Sequence, residues 1–93
     1  MKYEILATSN FKKKLKIIKK RNKDIEKLRT VINLITNNEK LDEKYKDHHL
    51  FNTSKFKDCR ELHIEPDWLL VYRIDNNKLM LLLVDTGSHS DLF

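Results

Sequence analysis

The groups able to do chemistry sit late in the chain. Four histidines occupy positions 48, 49, 63 and 89, and Asp67 follows His63 across the short turn Glu65-Pro66-Asp67. An imidazole has an ordinary pKa of about 6.5, so near neutrality it can both take and return a proton. Two or three imidazoles beside a cation suit cleavage of a phosphodiester. One group removes the proton of a ribose 2′-OH, another protonates the leaving 5′-oxygen, and the cation offsets the charge that grows on phosphorus. That chemistry needs no metal. Three histidines and a carboxylate also match the donors zinc accepts, yet no histidine pair has the i, i+4 spacing of a helical site and no CxxC pair is present. Neither a metal nor another cofactor is therefore expected. Taken singly, His48 and His49 read more simply as solvated loop residues and His63 as a strand-surface residue. Trp68 and Tyr72 share a strand face and could stack on a base, although Tyr72 fits a core role better. Cys59, the single cysteine, rules out an internal disulfide and has no activating neighbour in sequence.

These side chains must be positioned by one small core. The chain has 93 residues, 40% of them hydrophobic, with one glycine and one proline. That composition describes a single folded domain spanning residues 1–93, with no internal repeat or linker. No apolar stretch has the length of a signal peptide or membrane span, so the expectation is a reduced, cytoplasmic setting with no membrane contact. The net charge of +5 is unevenly placed. Residues 1–30 carry eleven Lys/Arg against three Asp/Glu, and the remainder eight against eleven. The run that includes Lys12 and Lys13 makes a positive field suited to RNA or an acidic protein, and a solvated helix face explains it equally well.

The spacing of apolar residues predicts the elements. Residues 2–7 alternate as a short strand, with Tyr3, Ile5 and Ala7 on one side. Thr8, Ser9 and Asn10 offer caps for a helix whose stripe is Phe11, Leu15 and Ile18, widened by Ile17. A second helix carries Ile25, Leu28, Ile32 and Ile35 on one face, flanked by Val31 and Leu34, and Asn37-Asn38 closes it. Residues 39–57 read as an ordered surface loop. From Cys59 the period becomes two: Leu62 and Ile64 face one side, Glu61 and His63 the other. Trp68–Ile74 and Leu79–Val84 are apolar on both faces, as central strands are. The tail beyond Val84 is expected to leave the last strand and, by folding back, to bring His89 towards His63 and Asp67. The outline is β-α-α-β-β-β, an α+β domain with two helices packed on a mainly antiparallel sheet.

Three segments together resemble a known family. YKDHHL (Tyr45–Leu50), RELHIEPDWLLVYRI (Arg60–Ile74) and TGSHSDLF (Thr86–Phe93) are similar, in order and spacing, to the YafQ branch of the RelE/ParE toxin superfamily. The basic two-helix half resembles it too, so the likeness spans nearly the whole chain. The resemblance implies a RelE-like fold and a type II toxin: a ribosome-dependent endoribonuclease that cuts translated mRNA and is neutralised by a cognate antitoxin of the DinJ/RelB kind. Operator DNA would be contacted only through that complex. Carried over position by position, His48, His63, Asp67 and His89 match the family's catalytic and RNA-contacting set, with His89 the principal proton-transfer residue. Trp68 and Phe93 match its aromatic positions. One position departs. Two residues before Gly87 the family usually has an arginine, and here stands Asp85. A carboxylate a few ångströms from the scissile phosphate would repel it by about 1 kcal/mol or more. Three readings follow: Arg60 or Arg73 supplies the cation, the protein is a weak nuclease that mainly binds its antitoxin, or Asp85 is an inactivating change. Gyrase inhibition, the ParE-like activity, is opposed by the histidine set.

Overall fold

A computed structural model describes residues 2–93. The order is β1 (Glu4–Ala7), α1 (Ser9–Lys20), α2 (Ile25–Thr36), a single 3-10 turn (Glu43–Tyr45), β2 (His48–His49), β3 (Arg60–Glu65), β4 (Trp68–Asp75), β5 (Met80–Gly87) and α3 (His89–Leu92). The five strands form one sheet in the order β1-β5-β4-β3-β2, antiparallel except where β1 runs parallel to β5. The α+β expectation holds. It missed β2 inside the 39–57 loop, and it ended the last strand too early. β5 continues through Asp85 and Thr86 to Gly87, and only then does α3 begin. A two-residue strand such as β2 and a single-turn helix such as α3 lack a readable period, so tertiary contacts decide them.

Local chemistry sets the helix limits. Thr8 caps α1 by accepting from the N–H of Phe11 at 3.0 Å, and Asp24 caps α2 by accepting from Glu26 at 3.0 Å. Asn38 closes α2 in the left-handed region at φ 56°, where its N–H reaches the carbonyl of Ile35 and that of Glu39 reaches Leu34. Phe11 and Ile18 of α1 and Leu28, Val31 and Ile35 of α2 are buried, whereas Ile17 is exposed, outside the stripe that was expected to include it. No helix among the described residues is long and apolar enough to cross a membrane.

Both faces of the central strands are covered. The helices pack against Leu62, Ile64, Trp68, Leu70, Tyr72, Leu81 and Leu83. The opposite face carries a smaller cluster, Phe56, Cys59, Leu69, Val71 and Leu92, covered by the loop after β2 and by α3. Each fully buried Leu or Val contributes about 1.5–3 kcal/mol, so most of the stabilising burial lies on the helix side. The second face is left to carry polar groups beside its small apolar patch.

The chain end is fastened to this framework at several points. Ser88 and Asp91 form a reciprocal capping box, and the Asp91 carboxylate takes a fork from Arg21, the C-cap of α1, at 2.6 and 3.1 Å. Gly87, at φ 150°, is required here, since an added Cβ would lie 2.8 Å from Asp91 Oδ2. Arg21, aided by Ser88, holds the Asp91 carboxyl well below the usual carboxylate range. Its stabilising effect is therefore complete above the unfolded value of about 3.9 and is lost as pH falls through the lower folded value. Asp91→Asn is expected to lower the urea midpoint at neutral pH, with the gap to the parent closing on acidification below about pH 4. A gap that persists unchanged in strong acid would show that the Arg21 pair is not its source.

Candidate active site

Strand alternation places the first residues. The even positions of β3 and β4 face the helices, so Glu61 and His63 lie on the opposite face with Leu69 and Val71. β2 pairs His48 with Glu61, bringing a second imidazole to that face. The tight turn from β3 to β4 presents Asp67, and α3, which starts where β5 ends, presents His89 beside it. His48, His63 and His89 thus form a row, with ring centroids 6.4 Å apart for the first pair and 5.8 Å for the second. Phe93 follows at 6.3 Å from His89, packed edge-on against Phe56 at 5.9 Å and still 62% exposed.

Hydrogen bonds assign a tautomer to each ring. His48 Nδ1 lies 2.7 Å from the carbonyl of Lys46, and His63 Nδ1 lies 3.2 Å from that of Pro66. Carbonyls only accept, so both Nδ1 atoms carry hydrogen and both Nε2 atoms are free. They face one carboxylate: Glu61 Oε1 is 3.5 Å from His48 Nε2 and 3.9 Å from His63 Nε2. Glu61 is only 4% exposed, and its Oε2 has no hydrogen-bond partner among the described residues. His89 has its own carboxylate. Asp67 Oδ1 accepts from the backbone N–H of His89 at 3.1 Å and from its Nδ1 at 3.2 Å. Those bonds, the backbone one first, hold the Asp67 carboxyl below its usual range, so it stays an acceptor and leaves His89 Nε2 available.

The same face contains a set of possible metal ligands. Glu61, His63 and His89 each bring one ligand atom within 4.8 Å of the others. Two imidazoles and a carboxylate are donors that a divalent transition metal accepts. A metal seated there would occupy one ring nitrogen each of His63 and His89.

Several expected site residues lie elsewhere. Trp68, expected to stack on RNA, is 0% exposed in the helix-side core, where its Nε1 donates to Thr86 Oγ1 at 3.0 Å. Strand parity decides this, since residues 68, 70 and 72 share the covered face. Arg60 also belongs to that side. It forks onto Asp47 at 2.8 and 3.1 Å, and the Tyr72 hydroxyl donates to the same carboxylate. Burial and then Asp47 push the Tyr72 phenol well above its ordinary value. Arg73 is at the far end of β4, donating to the carbonyl of Lys57 at 3.3 Å. Neither arginine sits with the histidines. Lys12 and Lys13 are exposed on α1, away from the imidazole row. Asp85, expected to oppose a phosphate, is 0% exposed and lies against Lys14 and Lys55. Cys59 is buried, which pushes its thiol up and leaves it unreactive.

Two residues went unrecognised in the sequence. Glu61 alternates with His63, and a strand-surface carboxylate gave no sign of burial beneath two imidazoles. Lys55, in the loop after β2, is a cation that reaches the end of α3. Its Nζ lies 3.2 Å from the carbonyl of Leu92 and 5.2 Å from the Phe56 ring centroid. No sequence period could have placed it.

Comparison with known proteins identifies the family and agrees with the fold. Residues 3–93 match the family model described as the bacterial toxin of type II toxin-antitoxin system, YafQ. The chain is 38% identical over 91 residues to the mRNA interferase toxin YafQ of Escherichia coli strain B / BL21-DE3, covering 97% of this chain and 95% of the relative. It superposes on YafQ from the crystal structure of the E. coli DinJ-YafQ toxin-antitoxin complex with a TM-score of 0.88 at 36% identity, covering 100% and 99% of the two chains. A metal-bound toxin from Helicobacter pylori gives a TM-score of 0.89 at 42% identity, covering 98% and 99%. Matched along nearly its whole length in both sequence and fold, the chain belongs to the YafQ family of type II toxin-antitoxin toxins.

Proposed function

We propose that this protein is an mRNA interferase: a toxin that cleaves translated mRNA on the ribosome by metal-independent acid-base chemistry and is neutralised by an antitoxin of the DinJ/RelB type. The observation that carries the reading is the row of three imidazoles, each with one nitrogen committed to an oxygen acceptor and the other free, lying between a buried and an exposed carboxylate. RNA brings its own nucleophile, the 2′-OH. In the proposed step the 2′-oxygen bonds to phosphorus as the P–O5′ bond breaks, giving a 2′,3′-cyclic phosphate and a 5′-hydroxyl. One group takes the 2′-OH proton and another delivers a proton to the 5′-oxygen. His89, oriented by Asp67, carries the principal proton transfer. His63, backed by Glu61 and flanked by His48, serves the complementary one. Phe93 offers an exposed ring to a base, and Lys55 is the cation suited to the charge on phosphorus.

Asp85 is the feature that favoured a weakened, purely antitoxin-binding protein. Its burial against two lysines removes the direct repulsion of a phosphate on which that reading rested. Operator DNA remains a partner reached through the antitoxin. The cytoplasm, where mRNA is translated, is the compartment this activity requires.

The decisive assay is primer extension on mRNA translated in vitro. Discrete in-frame cuts are expected that disappear when ribosomes are omitted and persist with a transition-metal chelator that spares magnesium. Equal cutting of ribosome-free mRNA would rule out ribosome dependence, and loss with the chelator would rule out a metal-independent step. His89→Ala should slow cutting by about 10²–10⁴-fold with unchanged thermal stability; a variant as fast as the parent removes His89 from the mechanism. The basic face of α1 is assigned to ribosomal RNA or the acidic parts of an antitoxin. Reversing both Lys12 and Lys13 to Glu should weaken ribosome co-sedimentation and flatten its salt dependence. An unchanged salt slope would assign that face to solvent.

A further inference from the structure

Asp85 is a fully buried carboxylate, and its surroundings point to a role. Oδ1 accepts from Lys14 Nζ at 3.2 Å and from the N–H of Thr86 at 2.9 Å. Oδ2 is 3.7 Å from Lys55 Nζ and makes no hydrogen bond among the described residues. The two ammonium groups also reach past Asp85 to the end of α3. Lys14 donates to the carbonyl of Asp91 at 3.4 Å, and Lys55 to that of Leu92 at 3.2 Å. Terminal carbonyls of a helix have no partner within it, and positive charge is favoured beside them.

The topology makes this convergence possible. β1 ends at Ala7, opposite Leu83, so beyond it no strand pairs with the outer edge of β5, and the start of α1 lies there instead, with Thr8 and Asn10 donating to the carbonyl of Val84. A register shift between Val71 and Tyr72 then sets Asp85 opposite Val71. Lys14 approaches from α1 and Lys55 from the loop after β2, each coming from a different element to the same buried carboxylate. Without the anion, two like charges would converge on a site with nothing to offset them.

We propose that Asp85 is a positioning residue: it fixes the Lys14 and Lys55 ammonium groups so that they clamp the last carbonyls of α3, and this clamp sets the placement of His89 and Phe93. Its meaning for catalysis rests on the nuclease reading above, whereas the clamp itself does not. It follows that Asp85→Arg puts a third cation among two ammonium groups. That variant should release α3 and cut more slowly than the parent.

Amide hydrogen exchange on the free protein tests the clamp without RNA. In Asp85→Asn and in Lys14→Met, the amides of Asp91, Leu92 and Phe93 should exchange about tenfold faster or more, while those of Leu70 and Val71 in β4 keep the parent's rates. Lys14→Arg, which keeps the charge, should restore protection, and cutting rates should follow the same order. If Asp85→Asn does not fold, Lys14→Met decides, since Lys14 lies on the partly exposed flank of α1. Protection of α3 equal to the parent's in these variants overturns the proposal. So does equal acceleration of α3 and β4, which would make the cluster a support of the whole sheet. A parent protein that cuts no mRNA would refute the nuclease reading and leave the exchange result to decide the clamp.

Discussion

The two-residue period of β3 and β4, buried on both faces, is the constraint on which everything else depends. It divides the chain's apolar residues between a large core under the helices and a small cluster on the far side. Because side chains alternate strictly, the same parity that buries Leu62, Ile64 and Leu70 sends Glu61 and His63 to the opposite face. A slip of one residue would exchange the imidazole for a leucine. The register against β2 and the tight turn into β4 then bring His48 and Asp67 into line.

The distribution of stability and chemistry follows from that division. Helices α1 and α2, with Leu41 and Tyr45, cover one face, so most burial lies there, while the other face has Phe56, Cys59, Leu69, Val71 and Leu92 beneath the loop and α3. Polar groups accumulate at the end of this second face. Glu61 illustrates the cost of such a place: a buried carboxylate is expensive unless partnered, and the nitrogens that face it are the Nε2 atoms of His48 and His63, at 3.5 and 3.9 Å. On the helix side, Arg60, Tyr72 and Asp47 satisfy one another and tie the segment before His48 to the sheet.

A chain end ordinarily frays, yet this one carries His89 and Phe93. It is held by unlike interactions that do not compete: a capping box, the Arg21 fork to Asp91, the burial of Leu92, and the lysine contacts at its final carbonyls. Helix α1 supplies two of those contacts, so the lysine-rich helix has a structural part as well as an exposed charged face. That explains why Lys14 differs from Lys12 and Lys13, which point to solvent.

Periodicity, caps and turn residues made most of the fold legible in the sequence: both long helices, the three long strands and the Asn38 stop each have a local physical signature. Of the candidate site, the motifs pointed to His48, His63, Asp67, His89 and Phe93, because chemistry depends on residue type and type is written in the chain. What depends on partners was not legible. The burial of Trp68, the distance of Arg60 and Arg73 from the histidines, Glu61 beneath two imidazoles, and Asp85 enclosed by Lys14 and Lys55 all arise from contacts between elements remote in sequence. Residue types and local periods determined which groups were available to this protein. Only the tertiary structure decided which face each occupies and which charge offsets which, because burial and ion pairing belong to the packed sheet and to no segment alone.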